Sequence, residues 1–257
     1  MIPLKDSTPS RTVPVVVIAL IVLNCLVFLL QLGTGLERSV LAFGSVPYYV
    51  THPGVKEAVY QEVPVRYETW LGTALRMEAV EVPRPRWGPF GSLFSYMFLH
   101  GDLFHILFNM LFLWIFGNNI EGAFGHGKFV AFYFICGLAA ALVQSVFTPN
   151  ATTPMVGASG AVSGVMGAYF LLFPRSRILT LVPFIFFMEM IWLPAFIFLG
   201  FWFLLQFLSI GSSSNVAFLA HIGGFVAGML LTRLFRPRRP PPPPDPEFEV
   251  ISPEQEK

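Results

Sequence analysis

The chain has 257 residues, a mean hydropathy of +0.66, 54% hydrophobic residues and only 12% charged ones. A soluble domain carries about 25% charged residues, so this deficit excludes an ordinary soluble fold and points to an all-α polytopic membrane protein in a lipid bilayer. A formal net charge of +1 implies no nucleic-acid partner, and the two cysteines, Cys25 and Cys136, each lie in an apolar run and read as small core residues rather than a disulfide framework.

Residues 1–12 are polar and carry Lys5 and Arg11. Residues 13–32 form the first predicted span, matching the ~20 apolar residues that a bilayer requires. A cleaved leader would have an apolar core of only ~7–15 residues and a small-x-small site, and none precedes Gly33. The segment therefore reads as an anchor, with Asn24 expected to hydrogen-bond between helices. Residues 33–92 are a long hydrophilic stretch with six basic and six acidic residues, interleaved with Pro and aromatics. A loop of this length carries structure or function of its own. Short interfacial helices are expected there, with Trp70 and Trp87 as anchors at headgroup level.

Apolar character returns at residue 93. Predicted spans cover about 93–117, 128–147 and 158–173. The Phe-rich stretch 178–190, broken by Pro183, reads as a lead-in to a fifth span at about 192–209, and the sixth covers about 216–235. Residues 13–235 then form one six-span unit. The tail 236–257, with its run Pro240–Pro244, reads as stiff, polar and disordered. Of the 16 Lys and Arg residues, ten lie outside the long loop, and all ten fall on the face shared by the termini and the loops after spans 2 and 4. The positive-inside rule predicts cytoplasmic termini and an external 33–92 loop.

The fourth span is short. Ser159 to Phe173 is 15 residues, about 22 Å of helix, against a hydrocarbon core of ~30 Å. Pro174-Arg175-Ser176-Arg177 fixes its far end at the cytoplasmic surface. Ser159, in Gly157-Ala158-Ser159-Gly160, is thus predicted at a helix N-terminus below the external surface, where irregular backbone must line protein or water. Free N–H groups there suit a developing oxyanion.

The sixth span supplies His221, with Gly224 and Gly228 on the same face. The fourth carries Gly160, Gly164 and Gly167. Two small-residue faces allow close approach, which would bring His221 to Ser159 as its general base. Structural interhelical bonding is the competing reading, but ionisable groups at this depth default to function. In the second span His105 and Asn109 share a face at i and i+4, either as oxyanion donors or as hydrogen-bonding glue. His100 and His105 are five apart, a poor match to metal ligation, so no metal is expected. No carboxylate is placed to complete a triad, so the pattern is a Ser–His dyad. Gly160 directly after the serine, followed by a membrane helix, also excludes the soluble nucleophile elbow.

Three separated motifs, His100-Gly-Asp-Leu-Phe-His105-Ile-Leu-Phe-Asn109, Gly157-Ala-Ser159-Gly160 and Ala220-His221-Ile-Gly-Gly224, make the chain resemble the rhomboid intramembrane serine proteases of the bacterial six-span type over about 93–235. The resemblance implies Ser159 as nucleophile and His221 as base. It implies His105, Asn109 and the Ser159 N–H as oxyanion donors, and Glu121 as a structural acid fixing the loop after span 2. It also implies cleavage of transmembrane protein substrates without a cofactor, with the active site open to the external side of a cytoplasmic membrane. Two positions depart from the family. The place of a frequent Trp-Arg pair reads Gly91-Ser92, which shifts loop anchoring toward Arg86 and Trp87. The place of an aromatic four residues after the serine reads Ser163, so other packing must hold His221. An intact Ser159/His221 pair argues against an inactive relative that only binds membrane clients. The absence of an inverted repeat argues against a transporter.

Overall fold

The computed structural model describes residues 1–10, 12–70, 72–183, 188–211 and 216–235. The tail 236–257 lies outside the described residues. A strand, β1 (Ile2–Asp6), precedes the first helix, α1 (Val15–Thr34). Cys25 is exposed on α1 rather than in the core, because the first helix turns much of its surface outward; Cys136 is buried. Asn24 is buried, yet its Nδ2 donates to Leu20 O of its own helix at 2.8 Å rather than across to a neighbour.

The 33–92 segment contains short helices, α2 (Leu36–Phe43), α3 (Pro47–Thr51) and α4 (Gly88–Ser95), as expected. Between α3 and α4, however, it forms an antiparallel hairpin of β2 (Val59–Thr69) and β3 (Gly72–Val82). Val59, Val63 and Val65 fall on alternate positions of β2, and β-branched residues at period two favour a pleated strand. Trp70, at the hairpin end, is 92% exposed. The Trp87 ring packs edge-on to Phe43 at 5.4 Å, and the Arg86 guanidinium lies 5.8 Å from that same ring. These two residues therefore anchor α2 to the start of α4.

The second apolar stretch is not one helix from 93. It consists of α4, a 3₁₀ turn at Tyr96–Phe98, and α5 (Leu103–Phe124). Asp102 makes the break by capping α5, its Oδ1 accepting from His105 N at 2.8 Å. Helices α6 (His126–Phe147) and α7 (Ser159–Leu172) follow. The stretch expected to lead into the next span is a second hairpin, β4 (Arg177–Pro183) and β5 (Met188–Pro194), again with β-branched residues alternating at Ile178, Thr180 and Val182. α8 (Ala195–Leu208) starts directly after Pro194, and α9 (Phe218–Phe235) closes the described fold. β1 pairs antiparallel with β4, giving a three-stranded sheet in the order β1-β4-β5.

Among the described residues four helices, α1, α5, α6 and α9, are long and apolar enough to cross a membrane; α7 and α8 are shorter apolar helices in the same bundle. α7 sits at the centre, with every residue from Gly160 to Tyr169 buried. Its neighbours are α5, α6, α8 and α9.

The N-terminal segment is tied to this bundle by two acids, the buried Glu121 and the half-buried Asp6. α1 has no capping side chain of its own, with Pro14 at its N-cap. Glu121, near the end of α5, supplies the cap: Oε1 accepts from Val16 N at 2.9 Å and Oε2 from Val17 N at 2.8 Å. His126 Nδ1, at the start of α6, lies 2.5 Å from the same carboxylate. One carboxylate thus joins three helix ends. Asp6 makes the second tie, its Oδ2 accepting from Asn119 Nδ2 and from the Tyr169 hydroxyl, the latter at 2.8 Å.

Burial pushes the Asp6 carboxyl up from 3.8 to about 6, although hydrogen bonds from Tyr169 and Asn119 and the charge of Lys5 pull the other way. A carboxyl whose folded value exceeds its unfolded one stabilises docking fully only below about pH 4, and that contribution is lost as pH rises through about 6. Hydrogen exchange at the β1 amides, corrected for intrinsic rate, should therefore slow as pH falls from 7 to 4. Asp6→Asn should flatten the profile. An unchanged profile in the variant would remove Asp6 as its source.

Candidate active site

Ser159 is the first residue of α7, preceded by Ala158 with no side-chain cap, so the opening N–H groups of the helix stay available. The loop that delivers it is held from three directions. Gly157 N donates to Tyr96 O at 2.8 Å, Ser45 and Met155 form an antiparallel bridge, and Thr152 Oγ1 donates to Gln61 Oε1 of β2 at 2.9 Å. Gly157 has φ +121, and a methyl built on it would lie 2.6 Å from His105 Nε2 and 3.5 Å from Ser159 Oγ. Glycine is required here on both counts. The same geometry shows that Ser159 Oγ and His105 Nε2 border one small space.

His105 is oriented by its neighbours. Gly101 N approaches Nδ1 at 3.4 Å as a donor, which leaves the ring proton on Nε2, facing Gly157. The His100 ring packs edge-on to it at 5.1 Å. The His100 backbone is clamped by Gln31 of α1, which accepts from His100 N at 3.0 Å and donates to His100 O at 3.2 Å. Asn109, buried one turn below His105, donates Nδ2 to His105 O at 2.9 Å. That bond uses one of its two N–H groups.

α9 meets α7 backbone to backbone. A methyl on Gly224 would sit 2.1 Å from Gly160 O, and one on Gly228 would sit 2.0 Å from Gly164 O. In return, a methyl on Gly167 would sit 2.1 Å from Phe225 O. Gly164 itself faces α6, where its methyl would meet Cys136 Cβ at 2.4 Å. The Gly160–Gly224 contact brings His221, one turn before Gly224, to the end of α7 where Ser159 sits.

The packing that replaces an aromatic at Ser163 is on α8 and α9. His221 lies between the Trp202 ring at 5.8 Å and the Phe218 ring at 6.4 Å, and its Nδ1 is 2.8 Å from Gln206 Oε1. Ser163 instead bonds its own helix, donating to Ser159 O at 2.6 Å. Among the described residues Ser159 Oγ makes no hydrogen bond to His221. Such bonds are often long before substrate binds.

Four predicted site residues, Ser159, His221, His105 and Asn109, thus sit on α7, α9 and α5 around one region. Sequence reasoning missed Gln31 and Gln206. Each is a glutamine late in an apolar helix, Gln206 as the lone amide of α8 and Gln31 sharing α1 with Asn24, and that polarity was the available signal.

A family model described as the Rhomboid domain matches residues 88–238. RHOMBOID-like protein 1 of Arabidopsis thaliana is 32% identical over 143 residues, covering 56% of this chain and 34% of that protein. The rhomboid protease GluP of Bacillus subtilis is 32% identical over 143 residues, covering 55% of this chain and 25% of that protein. The rhomboid protease GlpG of Pectobacterium atrosepticum is 28% identical over 165 residues, covering 63% and 52%. The chain thus matches less than two thirds of the length of each of these relatives.

Gly224→Val should push α9 off α7 and lower stability by roughly 1–3 kcal/mol, as overpacking does. It should also slow labelling of Ser159 by a fluorophosphonate at least tenfold, since misplacement by about 1 Å costs ~10² in rate. Gly33→Val, with nothing within 4 Å of its added Cβ, should do neither. Wild-type melting and labelling in Gly224→Val would mean that the two helices tolerate separation.

Proposed function

We propose, from the premise that this chain belongs to the rhomboid family, that it is an intramembrane serine endopeptidase acting on transmembrane protein substrates. The supporting observation is the convergence around Gly157. Ser159 Oγ and His105 Nε2 border the same space, and the Gly160–Gly224 contact brings His221 alongside. The relatives named as proteases support the same reading.

In this mechanism His221 Nε2 takes the Ser159 hydroxyl proton as Oγ attacks the scissile carbonyl carbon. The oxyanion accepts hydrogen bonds from Ser159 N–H, His105 Nε2–H and the remaining Asn109 N–H. His221 then gives its proton to the departing amide nitrogen. The acyl-enzyme is released by a water that His221 deprotonates in turn. No cofactor takes part in these steps.

The protein is an integral membrane protein, with four long apolar helices among the described residues. With α7 and α8 counted as crossings, the unit 13–235 has six spans, the termini are cytoplasmic and residues 33–92 are external. The distribution of basic residues supports this orientation. An impermeant thiol reagent added to intact cells should label Thr73→Cys, in the β2–β3 hairpin, and spare Ser10→Cys. The reverse pattern would move the active-site mouth to the cytoplasm.

Ser159→Ala and His221→Ala should each abolish cleavage of a single-span substrate by the purified protein while leaving insertion and melting intact. Asn109→Ala should lower kcat between tenfold and the ~10²–10³ typical of a lost oxyanion donor, with little change in KM. Clear cleavage by the Ser159→Ala protein would sink the protease assignment and favour a client-binding relative. A change in KM alone for Asn109→Ala would leave that residue a packing role.

A further inference from the structure

We propose that Gln206 is the positioning residue of the catalytic pair: it holds His221 as the Nδ1–H tautomer, so that Nε2 presents its lone pair to Ser159. The proposal rests on the protease reading above and assigns the third group that the sequence did not supply.

Gln206 is the one amide or charged side chain in α8, whose sequence is AFIFLGFWFLLQFL. It is buried. An amide in such a helix is costly unless both ends are bonded. Both ends are. Nε2 donates to Trp202 O, four residues earlier on the same helix, at 2.9 Å. Oε1 lies 2.8 Å from His221 Nδ1 on α9.

These two partners fix which way round the amide sits. A backbone carbonyl only accepts, so the NH₂ group must face Trp202 O. With the amide reversed, two oxygens would face each other there. The oxygen therefore faces His221, and an amide oxygen only accepts, so Nδ1 must carry the proton. In a neutral imidazole the other nitrogen then has the lone pair, and that nitrogen is Nε2. An amide the other way round would donate to Nδ1, put the proton on Nε2 and leave the base unable to accept from serine. The Trp202 bond is thus part of the device: the backbone of α8 sets the amide, and the amide sets the tautomer.

The choice of an amide over a carboxylate follows from the setting. A carboxylate orients a histidine equally well but places a full negative charge inside a membrane-spanning helix. Gln206 gives the orientation through a neutral acceptor. The rings of Trp202 and Phe218, at 5.8 and 6.4 Å, limit tilting of the imidazole, so the hydrogen bond has to fix only rotation and proton position.

The test uses the full-length protein in lipid or detergent with Gln206→Met, Gln206→Glu, Ser159→Ala and His221→Ala. Methionine keeps the length and removes the acceptor. Its kcat should fall on the order of 10–100-fold with KM and melting little changed, within the ~10⁴ limit for a catalytic histidine forced into the wrong tautomer. Gln206→Glu restores an acceptor and should recover most of the lost kcat, which a purely structural role would not give. Nitrogen NMR of the histidines, read by difference against His221→Ala, should show a protonated Nδ1 and bare Nε2 at His221 in the wild-type protein, and a mixture in Gln206→Met. Unchanged kcat in Gln206→Met, or a protonated Nε2 in the wild type, overturns the proposal. If Gln206→Met fails to fold, the wild-type spectrum and the Gln206→Glu kinetics still decide it. Cleavage surviving in Ser159→Ala or His221→Ala would instead sink the protease reading, whereas inactive controls beside a normal Gln206→Met would sink this inference alone.

Discussion

The contact of α7 with α9 is the constraint from which the rest of the site follows. Helices in lipid gain no hydrophobic drive toward each other, so association depends on close packing and buried hydrogen bonds. Here the approach is backbone to backbone, with Gly224 against the Gly160 carbonyl and Gly228 against the Gly164 carbonyl. No side chain larger than hydrogen fits at either point. The third helix joins at the same place, since a methyl on Gly160 would meet Ala140 Cβ of α6 at 2.6 Å. α7 is therefore enclosed from Gly160 to Tyr169, its position set by carbonyl-to-glycine contacts that have little room to slide. Ser159, on the first turn of such a helix, inherits that rigidity, and so does His221, one turn before the glycine that touches α7.

A second constraint is the supply of partners for helix ends. Water cannot reach them freely in a membrane, so neighbouring helices must provide the hydrogen bonds. Glu121 of α5 bonds the free N–H groups of α1. Gln31 of α1 pairs with both backbone groups of His100 ahead of α5. Gln144 of α6 accepts from Ala220 N at 3.1 Å, at the start of α9. Each of these side chains comes from one helix and finishes another, so the ties that hold the bundle together also fix the levels at which the helices begin. The levels matter for chemistry, because His105, Ser159 and His221 all sit within the first turn of their helices.

The loop before Ser159 extends this logic outside the bundle. It bonds to Ser45 between α2 and α3, to Tyr96 before α5 and to Gln61 on the β2–β3 hairpin. The 33–92 segment thus braces the strand of chain that enters the site, which gives a physical role to a region whose charges and aromatics otherwise lack a common pattern.

The sequence by itself determined the apolar helices, the short central helix and the glycine faces, because these are properties of local composition and of period 3.6. It also singled out Ser159, His221, His105 and Asn109, since few polar groups lie in the apolar stretches and each had to be explained. It left an element's form open, or merged two elements, where a local signal competes with another. The 178–190 stretch reads only as a lead-in to the next span; the hairpin it forms is completed by pairing with β1 from the far end of the chain. The 93–117 stretch reads as continuous, but Asp102 finds its donor one turn ahead and ends the run. Tertiary structure alone decided the long-range partners: Glu121 reaching Val16 and Val17, Asp6 reaching Asn119 and Tyr169, and Gln206 reaching His221. Hydrogen bonds between residues that far apart depend on how the helices pack, which no local pattern encodes. For that reason a lone glutamine in an apolar helix gave no sign of its partner until α8 and α9 were placed side by side.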